Sequence, residues 1–96
     1  NCELCDKDLP ANSSDAYICT YECTFCQNCV EETLENVCPN CGGNFCKRPI
    51  RPNTDYRNGV SLQHQKSATK RITTSYSKNE IIAFTKKIKH LKPHQR

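Results

Sequence analysis

Cys19-Thr20-Tyr21-Glu22-Cys23-Thr24-Phe25-Cys26-Gln27-Asn28-Cys29 places four cysteines in eleven residues, a density that decides how the rest of the chain can fold. Outward from this stretch, Cys2 and Cys5 precede it, Cys38, Cys41 and Cys46 follow it, and the last fifty residues contain no cysteine. Four pairs have the form C-x-x-C: Cys2/Cys5, Cys23/Cys26, Cys26/Cys29 and Cys38/Cys41, with Cys26 common to two of them. Small secreted domains use cysteine density for disulfides, whereas a chain in a reducing compartment uses it for metal. Repeated C-x-x-C pairs and an odd total of nine cysteines favour metal. Each such turn can present two thiolates to one ion while its backbone amides hydrogen-bond the sulfurs.

With 96 residues and 35% hydrophobic content, the chain has too little apolar material for an ordinary core. Structural metal is the natural substitute. Eight thiolates satisfy two tetrahedral Zn2+ ions, and an iron–sulfur cluster, which also accepts four thiolates, ranks well below zinc. Cys38-Pro39-Asn40-Cys41-Gly42-Gly43 suits a ligand turn, because glycine tolerates the backbone angles needed after the second cysteine. Cys26 and Cys29 stand at the start of an expected helix, where amide dipoles stabilise thiolate charge. Taken in chain order, Cys2, Cys5, Cys19 and Cys23 would hold one ion and Cys26, Cys29, Cys38 and Cys41 the other; Cys23 and Cys26 are close enough in sequence to be split differently. Cys46 is surplus, and beside Phe45 it is expected to be a small buried hydrophobe rather than a reactive or substitute ligand thiol.

Charge divides the chain. Residues 1–46 carry Lys7 against eight acidic side chains, a formal charge of −7, and residues 47–96 carry thirteen Lys and Arg against Asp55 and Glu80, a charge of +11. A basic tail beside an acidic head can fold back on it or reach an anionic partner such as nucleic acid. For nucleic acid the candidates are Lys47, Arg48, Arg51, Arg57, Lys70 and Arg71, with Tyr56 as the nearby aromatic. No run approaches the roughly 18 apolar residues of a membrane span.

Asp6 to Asp15 is dense in turn formers, and Ala16 to Tyr21 reads as a short strand through Tyr17, Ile18 and Tyr21. Val30, Leu34 and Val37 predict a helix of about two turns ending near Asn36. Residues 47–60 suit an extended exit, and residues 61–76 read as linker or disorder. Ser77-Lys78-Asn79-Glu80 is a capping-box signature before Ile81, Phe84, Ile88 and Leu91, an amphipathic helix ended by Pro93 and carrying Lys78, Lys86 and Lys89 on its other side. The expected organisation is a zinc domain over 1–52, a basic polar linker over 53–76 and the amphipathic helix over 77–92.

The full spacing, C-x2-C-x13-C-x3-C-x2-C-x2-C-x8-C-x2-C, resembles the RING-type zinc finger through all eight ligands. The resemblance implies a RING-like, treble-clef cross-brace with one short helix and little strand. It implies interleaved sites: Cys2, Cys5, Cys26 and Cys29 on one zinc, and Cys19, Cys23, Cys38 and Cys41 on the other. Cys2 to Pro10, Ile18 to Cys26, Cys38 to Gly43 and Arg48-Pro49 further resemble a small bacterial family catalogued as domain of unknown function 1272, a likeness that is specific through Pro52 and fades by Ile72. It implies zinc and a bacterial cytoplasmic setting, and supplies no activity.

Four-thiolate zinc normally leaves no open position for a catalytic water, and His64, His90 and His94 all lie in the tail, so no enzyme and no small-molecule substrate are expected. The leading expectation is a non-catalytic zinc module that binds a protein partner. Nucleic-acid binding through the basic tail is the alternative. A ubiquitin-ligase role, implied by the RING resemblance and by apolar Leu4 between the first two ligands, ranks lower, because Gly42 stands where that family often has a basic residue.

Overall fold

The computed structural model describes residues 1–96. Its sheet has three short antiparallel strands in the order β2-β1-β3: β1 Ala16–Ile18, β2 Thr24–Cys26 and β3 Cys46–Lys47. Tyr17 pairs with Phe25 on one side and with Lys47 on the other. β1 is shorter than the expected Ala16–Tyr21 strand because Cys19 opens a tight turn, in which the Cys19 amide donates to Cys23 O (3.2 Å), the Glu22 amide donates to Cys19 O (3.0 Å), and Glu22 takes φ 63°. Tyr21 is left on the outside of that turn, 77% exposed. β2 was hidden in the sequence by its cysteines, which read as ligand spacing rather than as strand alternation.

The helix expected after Cys29 is a single wide turn, Cys29–Thr33, in which the Leu34 amide reaches five residues back to Cys29 O at 2.8 Å. It stops because Glu35 and Asn36 adopt left-handed angles, φ 46° and 62°. Asn36 Oδ1 then accepts the Phe45 amide at 2.9 Å and fixes the return of the chain. Val30, Leu34 and Val37 still face inward as the periodicity implies. With Leu9, Ala16, Phe25 and Phe45 they form the apolar core, Phe25 and Phe45 meeting edge to face with centroids 5.4 Å apart. Phe45 is buried just before β3, whereas Cys46 and Lys47 are both exposed on that edge strand, contrary to the buried position expected of Cys46.

The tail is held to the head. Asn1 and Ile72 exchange two hydrogen bonds, the Thr74 amide donates to Glu3 O (2.8 Å), and Arg71 pairs with Asp6 (2.9 Å) and Asp8 (2.6 Å). Residues 71–74, read from sequence as linker, thus lie along the first cysteine turn. Beyond them, α1 spans Lys78–Ile88, opened by the expected reciprocal Ser77/Glu80 capping box. It ends before Leu91, which sits in the turn leading to Pro93. Its inward face also includes Thr85, which the hydrophobic period had passed over.

Ile81 is 1% exposed and joins the core of the head, while Phe84 and Ile88 lie over Gly42, at 3.5 and 3.6 Å from where a Cβ there would stand. Lys89 reaches Glu35 at 3.2 Å, and Arg96 donates to Asn36 O and Gly42 O. Exposed ion pairs contribute little, about 0–1 kcal/mol each, so the apolar contacts hold the helix and the charges orient it. An isolated helix of this length frays in water. Docking therefore predicts slowed amide exchange across Ile81–Ile88 in the dilute chain and loss of that protection in Phe84→Asp. Complete exchange within the dead time in the unaltered chain would contradict the docked arrangement.

Candidate metal centres

The cysteine turns are built alike. The Asp6 amide donates to Cys2 O (2.9 Å) and the Gly42 amide to Cys38 O (2.7 Å), and the residue after each second cysteine takes a left-handed angle, φ 66° at Asp6 and 81° at Gly42. Amides point at sulfurs within the same turns, Tyr21 N–H to Cys19 Sγ at 3.3 Å and Gly43 N–H to Cys41 Sγ at 3.4 Å. Such donors favour the thiolate over the thiol.

The sulfurs of Cys2, Cys5, Cys26 and Cys29 all lie within 4.8 Å of one another, with Cys2, Cys26 and Cys29 buried and Cys5 exposed. Cys19, Cys38 and Cys41 form a second group within the same limit. The chain-order grouping is therefore not the one the fold assembles. Cys23 falls outside the second group's limit. Its thiol interacts with Cys19 and is drawn toward the side-chain amide of Asn40. Cys46 belongs to neither group.

Electrostatics within the groups are opposed. Burial pushes the thiols of Cys29 and Cys38 strongly upward, and neighbouring sulfurs add to it, Cys26 and Cys2 for the former and Cys19 for the latter. Burial also raises Cys26 and Cys23. It acts in the same sense on Cys2 and Cys19, but there the amide hydrogen bonds outweigh it and the net shift is downward. Thiols packed this closely cannot all ionise unless a cation neutralises them.

The donor set fits such a cation. A tetrahedron of sulfurs about 2.3 Å from a central zinc has edges of about 3.8 Å, and Cys5 Sγ and Cys26 Sγ are 3.8 Å apart. Cys2, Cys5, Cys26 and Cys29 would hold one ion, and Cys19, Cys38 and Cys41 a second, with Cys23 the nearest further sulfur.

Two side chains between the ligands escaped the sequence reading. Glu3 is buried, its carboxylate accepting from the Thr24 amide (2.8 Å) and from Asn40 Nδ2 (3.1 Å). Asn40 also accepts from Thr74 Oγ1 (2.9 Å). The available signal was an acid and an amide at interior positions of C-x-x-C turns, where outward-facing residues are the ordinary expectation.

Fold and sulfur groups together define a small cysteine-clustered domain with a three-stranded sheet, one α-helix and two groups able to hold metal. A family model described as "Protein of unknown function (DUF1272)" matches residues 1–51, and the chain belongs to that family. An uncharacterized protein of Rhizobium meliloti (strain 1021) is 62% identical over 52 residues, which is 54% of this chain and 62% of that protein. The chain thus spans less than two thirds of that relative's length. No solved structure matches the chain. No helix is long and apolar enough to cross a membrane.

Because Cys46 stands apart from both groups, Cys46→Ser is expected to leave metal content and melting temperature nearly unchanged, whereas Cys26→Ser or Cys38→Ser loses bound metal and unfolds the head. Loss of half the metal in the Cys46 variant, followed by elemental analysis and circular dichroism, would show that the ligand set is wrong.

Proposed function

We propose that this chain is a two-zinc, RING-like module of the cross-braced, treble-clef kind, which acts by binding another protein and carries out no chemistry itself. The observation that carries the proposal is the convergence of Cys2, Cys5, Cys26 and Cys29 on one point from two distant segments, while Cys19, Cys38 and Cys41 converge on another. Zinc is favoured over an iron–sulfur cluster because the sulfurs surround the space of a single ion. Cys23, whose thiol already meets that of Cys19, would supply the fourth sulfur of the second set. A closed set of four thiolates holds structure and leaves no coordination position for a reacting water. None of the histidines belongs to either group.

A protein partner is favoured over nucleic acid by how the basic residues are used. Arg48 donates to Leu9 O and Pro10 O, Arg51 to Gln65 O, and Arg71 is taken up by Asp6 and Asp8, so three of the six candidate phosphate contacts serve the fold itself. Tyr21 and Ile50, both more than half exposed, offer apolar contact on the head. A ligase-like role is disfavoured, because Phe84 and Ile88 cover Gly42, and Leu4 packs against the core. A salt titration of binding to random DNA separates the two leading readings: weak binding throughout supports the protein module, and tight binding that falls steeply with salt supports nucleic acid.

For the metal, elemental analysis of the purified chain is expected to give two zinc ions, and a strong chelator is expected to unfold it, since site formation and folding are one equilibrium here. Acid acts in the same direction. Free thiols ionise near pH 8.5, so at lower pH protons compete for every ligand, and the affinity of a four-thiolate site falls by up to about ten-thousandfold per pH unit. Iron with visible absorption, or a fold indifferent to chelator, would overturn the zinc reading.

A further inference from the structure

Glu3 is the buried carboxylate of the head, and the sulfur groups alone give it no role. Only 9% exposed, its carboxylate takes part in no ion pair; its partners are the Thr24 amide and the Asn40 side-chain amide. Its backbone is engaged on both sides as well, the Glu3 amide donating to Thr24 O (2.9 Å) and Glu3 O accepting from the Thr74 amide (2.8 Å). A carboxylate withdrawn from water without a cation carries a large desolvation cost, offset only while every hydrogen bond is in place.

Those hydrogen bonds belong to different metal groups. Glu3 lies between Cys2 and Cys5 and is fixed by the turn of the first group. Asn40 lies between Cys38 and Cys41, and its side chain also meets the Cys23 thiol, so it belongs to the second. Thr24 lies between Cys23 and Cys26, on the strand that connects the two. The Glu3 carboxylate is therefore satisfied only when both cysteine turns are closed.

We infer that Glu3 is a positioning residue that couples the two metal centres, so that loading either one favours loading of the other. This rests on the two-zinc reading above. When the first turn closes on an ion, Glu3 is aimed at the second turn, and Asn40 arrives as a donor when that turn closes in its own right. Opening either centre strands the carboxylate and weakens the other. Coupling between sites is typically 5- to 150-fold, and about tenfold suits one shared hydrogen-bonded carboxylate.

Native mass spectrometry of the reduced chain during a Zn2+ titration reads the coupling directly. Two independent sites give a one-ion form that peaks at half of the molecules or more, whereas tenfold coupling of equal sites holds it near about a quarter. The expected result is a one-ion form below half in the unaltered chain, and a peak at least about twice as high in Glu3→Ala with the capacity still two ions. Asn40→Ala removes the same link from the other side and is expected to act alike, which keeps the test decisive if Glu3→Ala does not fold. Glu3→Gln, which keeps the acceptor for Thr24 and can pair with a turned Asn40 amide, is expected to restore much of the suppression. A one-ion form at half or more in the unaltered chain, or one unmoved in both alanine variants, overturns the coupling alone. A chain that binds fewer than two ions overturns the two-zinc reading and the coupling with it.

Discussion

The head is governed by the burial of closely packed sulfurs, which removes the water that would solvate their ionised forms and lets each charge raise the cost of the next. Burial and neighbouring thiols push Cys29 and Cys38 upward, while amide donors pull Cys2 and Cys19 down, so neither group is electrostatically settled by the protein alone. A divalent ion in each group would resolve the conflict and supply the cohesion that a core of this size lacks. The short strands, the left-handed angles at Asp6, Glu22 and Gly42, and the single wide turn after Cys29 all bring distant cysteines to common points.

Metal bound by thiolates has a cost in charge, because four thiolates around one zinc leave a net of two negative charges. Loading both groups would make an acidic head more acidic still. The tail answers this in two ways. Arg71 and Lys89 lie against Asp6, Asp8 and Glu35, and Ile81, Phe84 and Ile88 add apolar surface that the head does not possess. Arg71 and Lys89, two of the tail's thirteen basic side chains, are thus matched to acids of the head.

Much of this was legible in the sequence, because cysteine spacing is a direct statement of geometry. Ligand turns, the capping box at Ser77 and Glu80, and the inward face of Val30, Leu34 and Val37 all follow from local rules. What was not legible depends on tertiary context. β2 is defined by pairing with β1 rather than by any pattern in Thr24-Phe25-Cys26. Buried Phe45 suggests a buried neighbour, yet Cys46 opens β3, whose two residues are both exposed. Residues 71–74 look featureless because their order comes from Asn1, Glu3, Asp6 and Asp8, some seventy positions away. Glu3 itself resembles any surface acid until its partners from two other turns are seen together.

Two closed sets of four cysteine sulfurs, drawn from interleaved segments, are proposed to hold this chain together, and X-ray absorption at the zinc edge of the purified chain reads their composition. The expected result is an average of about four sulfur neighbours per zinc at about 2.3 Å and no nitrogen or oxygen shell. An average of about three and a half sulfurs with about half a lighter neighbour would mean that the second centre is open, and a shell dominated by nitrogen or oxygen would mean that neither centre is built of thiolates.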